Sequence, residues 1–215
     1  MREGALEPSA AGLDSIDAAV AEAVARVDPI DLLRAQEYAL LAALLVRAPS
    51  GDLLSRLAGL SGDDSPLGSA HRSLAEAATQ ADLETLGREF FDLFVGVGRG
   101  ELLPYASYYL TSLLNERPLA QLREDLDAIG VERADDNPEP EDHIAILCEV
   151  MAGLAGGEFA AAAGMQRRFF ERHLKPWAER FFADLENARS ARFYRAVGAF
   201  GRLLIEIEAE AFTME

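Results

Sequence analysis

Apolar residues recur along this chain at helical rather than strand spacing. Ile16, Val20, Val24 and Val27 fall on one stripe of an alanine-rich helix predicted over residues 14–27. Pro29 ends that helix, and Asp31 is placed to cap a second over 32–46. The second is apolar nearly all round (Leu40, Leu41, Leu44, Leu45), which predicts the central buried helix of an N-terminal layer. Pro49-Ser50-Gly51 makes a turn, and two shorter helices follow near 52–60 and 66–79. Asp82 opens another, carrying Leu83, Leu86, Phe90, Leu93 and Phe94 as far as the glycines at 96, 98 and 100. Pro104 restarts the chain where Tyr105, Tyr108 and Tyr109 crowd together, and a helix over 118–129 is stopped by Gly130. Further on, helices are predicted through Leu147, Met151 and Leu154 to Gly156-Gly157, over 158–173, and from Trp177 through Phe181 and Leu185 after the break at Pro176. The last, over 191–212, sets Phe193, Val197, Phe200, Leu204, Ile207 and Ala211 on a packing stripe. No run alternates convincingly, and alanine with leucine makes up about a third of the chain. The predicted class is all-α.

The pattern breaks most sharply at Asn137-Pro138-Glu139-Pro140-Glu141-Asp142-His143. Proline fixes φ and biases the residue before it away from helix, so both prolines stop what precedes them. Pro140 is placed to be the first residue of the next helix, with Glu139 or Asn137 near its cap and Glu141 and Asp142 in its first turn. The acidic, proline-bearing residues 131–140 are the best candidate for a subdomain boundary.

The chain has 215 residues, half of them hydrophobic, enough for one large core or two small subdomains. Its formal net charge is −17, with no Lys/Arg cluster to displace counterions from a nucleic acid, and an anionic membrane surface repels it. The acid excess suits a basic partner. Cys148 is the one cysteine, so no internal disulfide forms, which fits a reducing compartment. The first residues lack the apolar core of a signal peptide, and no apolar run approaches the length of a membrane span. A cytoplasmic protein is expected.

None of His71, His143 and His173 has a glutamate three residues before it, as a di-iron bundle needs. Cysteines and spaced histidines for zinc are missing. Asp142 and His143 are sequence neighbours and do not face each other for a triad with Ser107. The glycines at 96, 98 and 100 follow no strand and precede no lysine, so a helix cap is preferred to a phosphate loop. No catalytic residue, metal site or cofactor is predicted. What remains is a binding surface. A helix start disfavours an imidazolium at His143, while Glu139, Glu141 and Asp142 favour it. The acids suit the forked guanidinium of an arginine.

Four motifs, in order, resemble those of the TorD/DmsD family of redox-enzyme maturation chaperones. They are Phe90-Phe91-Asp92-Leu93-Phe94-Val95-Gly96 with Pro104-Tyr105-Ala106-Ser107; Glu139-Pro140-Glu141-Asp142-His143, a full match to the family's E-P-x-D-H; His173-Leu174-Lys175-Pro176-Trp177; and Phe193-Tyr194-Arg195-Ala196-Val197-Gly198. The resemblance covers residues 35–212 and leaves 1–30 unmatched. It implies a bundle of about ten helices. These divide into an N-terminal extension over 1–30, a subdomain over 31–130, a hinge over 131–143 that includes Glu139, Pro140 and Glu141, and a subdomain over 144–215. It implies a non-enzymatic cytoplasmic chaperone, monomeric or a domain-exchanged dimer. Its partners would be the twin-arginine leader and apo form of a molybdopterin oxidoreductase of the dimethyl sulfoxide reductase, trimethylamine oxide reductase or formate dehydrogenase type. It also implies that Phe90, Leu93, Phe94, Pro104, Tyr105, Ser107, Asp142 and His143 bind that peptide. Phe90 and Tyr105 stand where relatives often have tryptophan, which bears on peptide preference. Two other readings stay open: a guanine-nucleotide-binding or hydrolysing regulator, and a helical adaptor that recognises only the folded client.

Overall fold

Caps written into the sequence set the helix starts. In the computed structural model, which describes residues 27–132, 139–159 and 161–214, Asp28 accepts the N–H of Ile30 at 2.8 Å and starts α1, Pro29–Leu45. Pro29 is thus the first residue of this helix, where its missing N–H costs nothing, and Asp31 lies inside the first turn instead of at the cap. Ser50 caps α2 (Gly51–Ala58), Ser65 caps α3 (Pro66–Gln80) and Asp82 caps α4 (Leu83–Phe90). The chain then widens into a π-helical segment, Phe91–Val95. Next come α5 (Ala106–Thr111), α6 (Arg117–Ala128), α7 (Ile144–Ala155), α8 (Met165–Phe169) with a second π segment, Phe170–Leu174, α9 (Ala178–Asn187) and α10 (Phe193–Met214). The described residues therefore hold ten α-helices and two π segments, and the all-α expectation is met. The helix expected over 14–27 lies outside the described residues but for Val27.

Two expected boundaries move. The helix expected over 158–173 begins only at Met165, because Gly164 takes a left-handed turn (φ 77°) that a continuous helix cannot contain. Pro140 does not start a helix either. Residues 140–143 form a turn closed by the His143 N–H on the Pro140 carbonyl (3.1 Å), and α7 starts at Ile144. Its cap is His143, whose Nδ1 accepts the N–H of Ala145 at 3.1 Å, so Glu141 and Asp142 are not first-turn residues. Their side chains are drawn away by partners elsewhere in the fold.

The most fully buried helix is α7, with Ile144, Leu147, Cys148, Val150, Met151 and Leu154 all in the core. α1 packs along it, burying Tyr38, Leu41, Leu44 and Leu45 while Leu33 faces solvent at 60 % exposure. α10 packs on α9, α3 and α1. Helices from both sides of the 131–143 link thus share one apolar cluster, which includes Tyr38, Leu86, Leu147, Phe181 and Phe212. Burying each such large side chain contributes about 2 kcal/mol. One charge is locked into this core. Glu208 accepts both forks of Arg34 at 2.6 Å and the Tyr38 hydroxyl at 3.2 Å. No helix among the described residues is long and apolar enough to cross a membrane.

Candidate functional site

Pro104-Tyr105-Ala106-Ser107 and Glu139-Pro140-Glu141-Asp142-His143 lie about thirty-five residues apart in sequence, and backbone pairing joins them. Tyr105 and His143 form an antiparallel bridge. The Ala106 N–H donates to the Asp142 carbonyl at 3.0 Å, and the Ile144 N–H to the Pro104 carbonyl at 2.9 Å. Pro104 can precede this bridge because it offers only its carbonyl. Asp142 completes the joint with its side chain: Oδ2 accepts the Ser107 N–H at 2.8 Å and satisfies an orphan donor of the first turn of α5. Tyr105 donates its hydroxyl to Glu139 at 2.5 Å and sets its ring edge-on to His143, 5.2 Å between centroids. Arg123 on α6 grips Glu141 with Nε at 3.1 Å and Nη2 at 2.8 Å.

Burial decides the protonation of this joint. Asp142 is 1 % exposed, His143 7 % and Ser107 0 %. Burial pulls His143 down to about 4, against the raising pull of Glu139 and Asp142, so its ring is neutral at pH 7. Burial and then the Glu139 carboxylate push the Tyr105 phenol up. The Asp142 Oδ1 and the Ser107 hydroxyl, both buried, find no hydrogen-bond partner among the described residues.

Phe90, Leu93 and Phe94 sit elsewhere. Leu93 is fully buried, and Phe90 and Phe94 stack on each other (5.1 Å) and on Tyr194 (6.0 and 5.4 Å). Tyr194 belongs to the fourth motif and donates its hydroxyl to the Leu44 carbonyl at 3.0 Å. The opposite side of the same turn shows Phe91 (41 % exposed) and Val95 (51 %) to solvent, followed by Val97. Their phase, opposite Phe90 and Leu93 on a helical wheel, was the available signal. Gly96 ends the π segment at φ 63°, and a Cβ there would come within 2.0 Å of the Arg99 carbonyl oxygen. The glycine alternation is thus a tight turn. Arg99 stacks on Tyr108 (5.1 Å) and donates to its hydroxyl at 2.7 Å, tying the turn to α5.

The third motif lies against the same helix. Tyr109 stacks on Trp177 (5.3 Å), whose indole N–H donates to the His173 carbonyl at 2.7 Å. His173 Nε2 meets Asp125 at 2.7 Å, and burial lowers its pKa against the pull of that acid. Arg123 and Asp125 carried no signal in the sequence, because each finds its partner across a loop or a second helix.

A model of the nitrate reductase delta subunit family matches residues 61–183, more than half of the chain. The chain belongs to the TorD family. The chaperone protein TorD of Vibrio cholerae serotype O1 (strain ATCC 39315 / El Tor Inaba N16961) is 35 % identical over 152 residues, 64 % of this chain and 68 % of the relative. TorD of Vibrio atlanticus (strain LGP32) is 30 % identical over 166 residues, 70 % and 76 % of the two chains. The crystal structure of a protein described as a redox enzyme maturation protein, from Archaeoglobus fulgidus, superposes with a TM-score of 0.58 at 20 % identity, covering 79 % of this chain and 93 % of that one. It shares the fold. The span matched by the nitrate reductase delta subunit model takes in the first three motifs and stops before the fourth.

Proposed function

We propose that this TorD-family chaperone binds the twin-arginine leader of a molybdopterin oxidoreductase precursor in the cytoplasm and holds the apoenzyme while its cofactor is inserted. The observation that carries the reading is the joint of Pro104–Ser107 with Glu139–His143, which gathers acids, Tyr105 and a neutral histidine beside α5. A twin-arginine leader is basic and then apolar. The acids of the joint suit its guanidinium groups, which carboxylates take in a forked geometry. Exposed apolar side chains continue outward from the joint: Leu110, Leu113 and Leu114 from α5 onward, and Phe91, Val95 and Val97 across the Arg99–Tyr108 tie. They suit the apolar stretch in the helix-in-groove mode. Within this reading Tyr105, Asp142 and His143 belong to the peptide site, and Ser107 and Pro104 hold its wall. Phe90, Leu93 and Phe94 support the turn from the core side, which leaves Phe91 and Val95 to meet the peptide. Clients of the dimethyl sulfoxide reductase, trimethylamine oxide reductase and formate dehydrogenase types fit equally.

Titration calorimetry tests the reading. A leader with paired arginines binds, its double-lysine form binds at least about tenfold more weakly, and Phe91→Asp with Val95→Asp weakens binding while circular dichroism stays unchanged. Silence with every twin-arginine leader tried, at low and high salt, would rule the reading out.

A further inference from the structure

Asp125 on α6 is crowded with donors. Its carboxylate takes the Arg172 Nη1 at 2.8 and 3.0 Å, the His173 Nε2 at 2.7 Å and, more loosely, Arg168 at 3.4 Å. Asp142 is the opposite case. Its Oδ2 accepts the Ser107 N–H, while its buried Oδ1 has no donor among the described residues. A buried carboxylate oxygen left so is costly. The two acids are linked by one cavity of about 50 Å³. Asp142 lines it from the link and Arg172 and His173 from the second π segment, Gln121 of α6 adds a polar wall, and apolar residues of α5, α6 and α7 close the rest. At about 10–15 Å³ for each water-sized group, it has room for a few heavy atoms, the size of a guanidinium head.

We infer that Arg172 toggles between these two carboxylates, staying on Asp125 while the His173 ring is neutral and crossing the cavity to the Asp142 Oδ1 when that ring gains a proton. The charges that face the ring set this direction. A neutral ring meets Asp125 without adding charge, and burial, with Arg172 and Arg168, favours that form against the pull of Asp125. A protonated ring sets three cations on one carboxylate, while Asp142 faces the same space unmatched. Leu147 of α7 and Trp177, whose indole N–H donates to the His173 carbonyl, bring no charge. Moving Arg172 to Asp142 leaves each acid with its own cation, and the Arg172 side chain, 38 % exposed, is free enough to turn. The toggle goes beyond the leader-binding reading and does not depend on it. It couples the third motif to the joint, so that acid cancels the joint's buried charge from inside the fold.

Nuclear magnetic resonance of the full chain tests this as pH falls from about 7. The His173 ring carbons give its midpoint, and the Ser107 amide, which donates to Asp142, reports the far side of the cavity. In the parent, and again in His143→Asn, where the joint's own histidine is removed from the curve, the Ser107 amide shifts with the His173 midpoint. In Arg172→Gln that shift is lost. Asp142→Asn, which keeps an oxygen for the Ser107 N–H, lowers the His173 midpoint by at least about 0.5 pH unit in the parent and by less than about 0.2 in Arg172→Gln. An equal drop in both backgrounds shows that Asp142 acts on His173 directly and overturns the toggle, as does no drop in either. Where Asp142→Asn unfolds, the Ser107 amide in Arg172→Gln decides alone, and a shift retained there overturns it. A His173 ring that stays neutral until the chain unfolds overturns it too.

Discussion

His143 spends its Nδ1 on the N–H of Ala145, which places the ring's own proton on Nε2. With burial holding it at about 4, the folded chain binds fewer protons than the unfolded chain, whose histidine titrates near its ordinary value. The penalty for folding with a neutral ring is absent above the unfolded pKa and grows as pH falls toward the folded one. Stability therefore rises with pH between about 4 and about 6.5. His173, lowered by burial against Asp125, acts with the same sign. Urea unfolding should show the parent less stable near pH 5 than near pH 7 by at least about 2 kcal/mol. His143→Asn, which can still cap α7, should recover about 2 kcal/mol of that difference. An unchanged pH difference in His143→Asn would mean that some other group supplies it. The opposing pulls on this histidine could be read from its neighbours in sequence. What decides between them could not, because the ring is buried in a joint that Pro104 and Tyr105 close from a distant part of the chain, Tyr105 with its ring edge-on to His143.

The helix opened by Asp82 was legible because an opening residue and an apolar stripe agreed there, while those that Ser50 and Ser65 cap were legible from the turn and loop before them. Where they slipped, the helical period or a distant partner explains it. On α10 the stripe read as Ile207 and Ala211 drifts, and Glu208 and Phe212 are buried instead, because a helix of about 3.6 residues per turn rotates less per residue than a strict heptad repeat, so its buried stripe slips later along the chain. Glu208 can be buried only because Arg34 on α1 meets it, and no local pattern announces that. The start of α10 is capped in the same long-range way. Glu89 of α4 accepts the N–H groups of Arg192 (2.7 Å), Phe193 (3.3 Å) and Tyr194 (2.8 Å). Glu89→Ala should destabilise the chain by about 2 kcal/mol, read by chemical unfolding, since it leaves three donors without their acceptor. A loss under about 0.5 kcal/mol would show that water replaces the carboxylate. The contact of α10 with α9 makes a second demand. A Cβ on Gly198 would lie 2.5 Å from the Glu186 nitrogen and 2.9 Å from the Phe182 oxygen, whereas one on Gly87 of α4 meets nothing within 4 Å. Gly198→Ala should therefore cost about 2 kcal/mol. Gly87→Ala should stabilise by about 0.5–1 kcal/mol through helix propensity. Equal effects at the two positions would show that helix propensity, not the α9–α10 contact, governs both.

Over the whole molecule, two features of the proposed site act at different ranges. The fold brings two motifs about thirty-five residues apart into one joint, and places the third motif against the far side of α5 through Tyr109 and Trp177. The motifs themselves could be recognised one by one in the sequence, but not their grouping, in which the first and fourth share one aromatic cluster and the second grips Pro104–Ser107. The joint acts only at contact distance. The net charge of −17 acts further out and attracts any basic peptide until salt screens it. The two contributions separate by ionic strength. Stopped-flow association of a twin-arginine leader should slow by about tenfold or more between low and high salt, because long-range steering is screened. The ratio of dissociation rates for the arginine and double-lysine leaders should change little over the same range, because it reflects buried, forked contacts that salt reaches weakly. If that ratio collapses together with the association rate, the chain recognises only positive charge, and the buried acids of the joint do not select the leader.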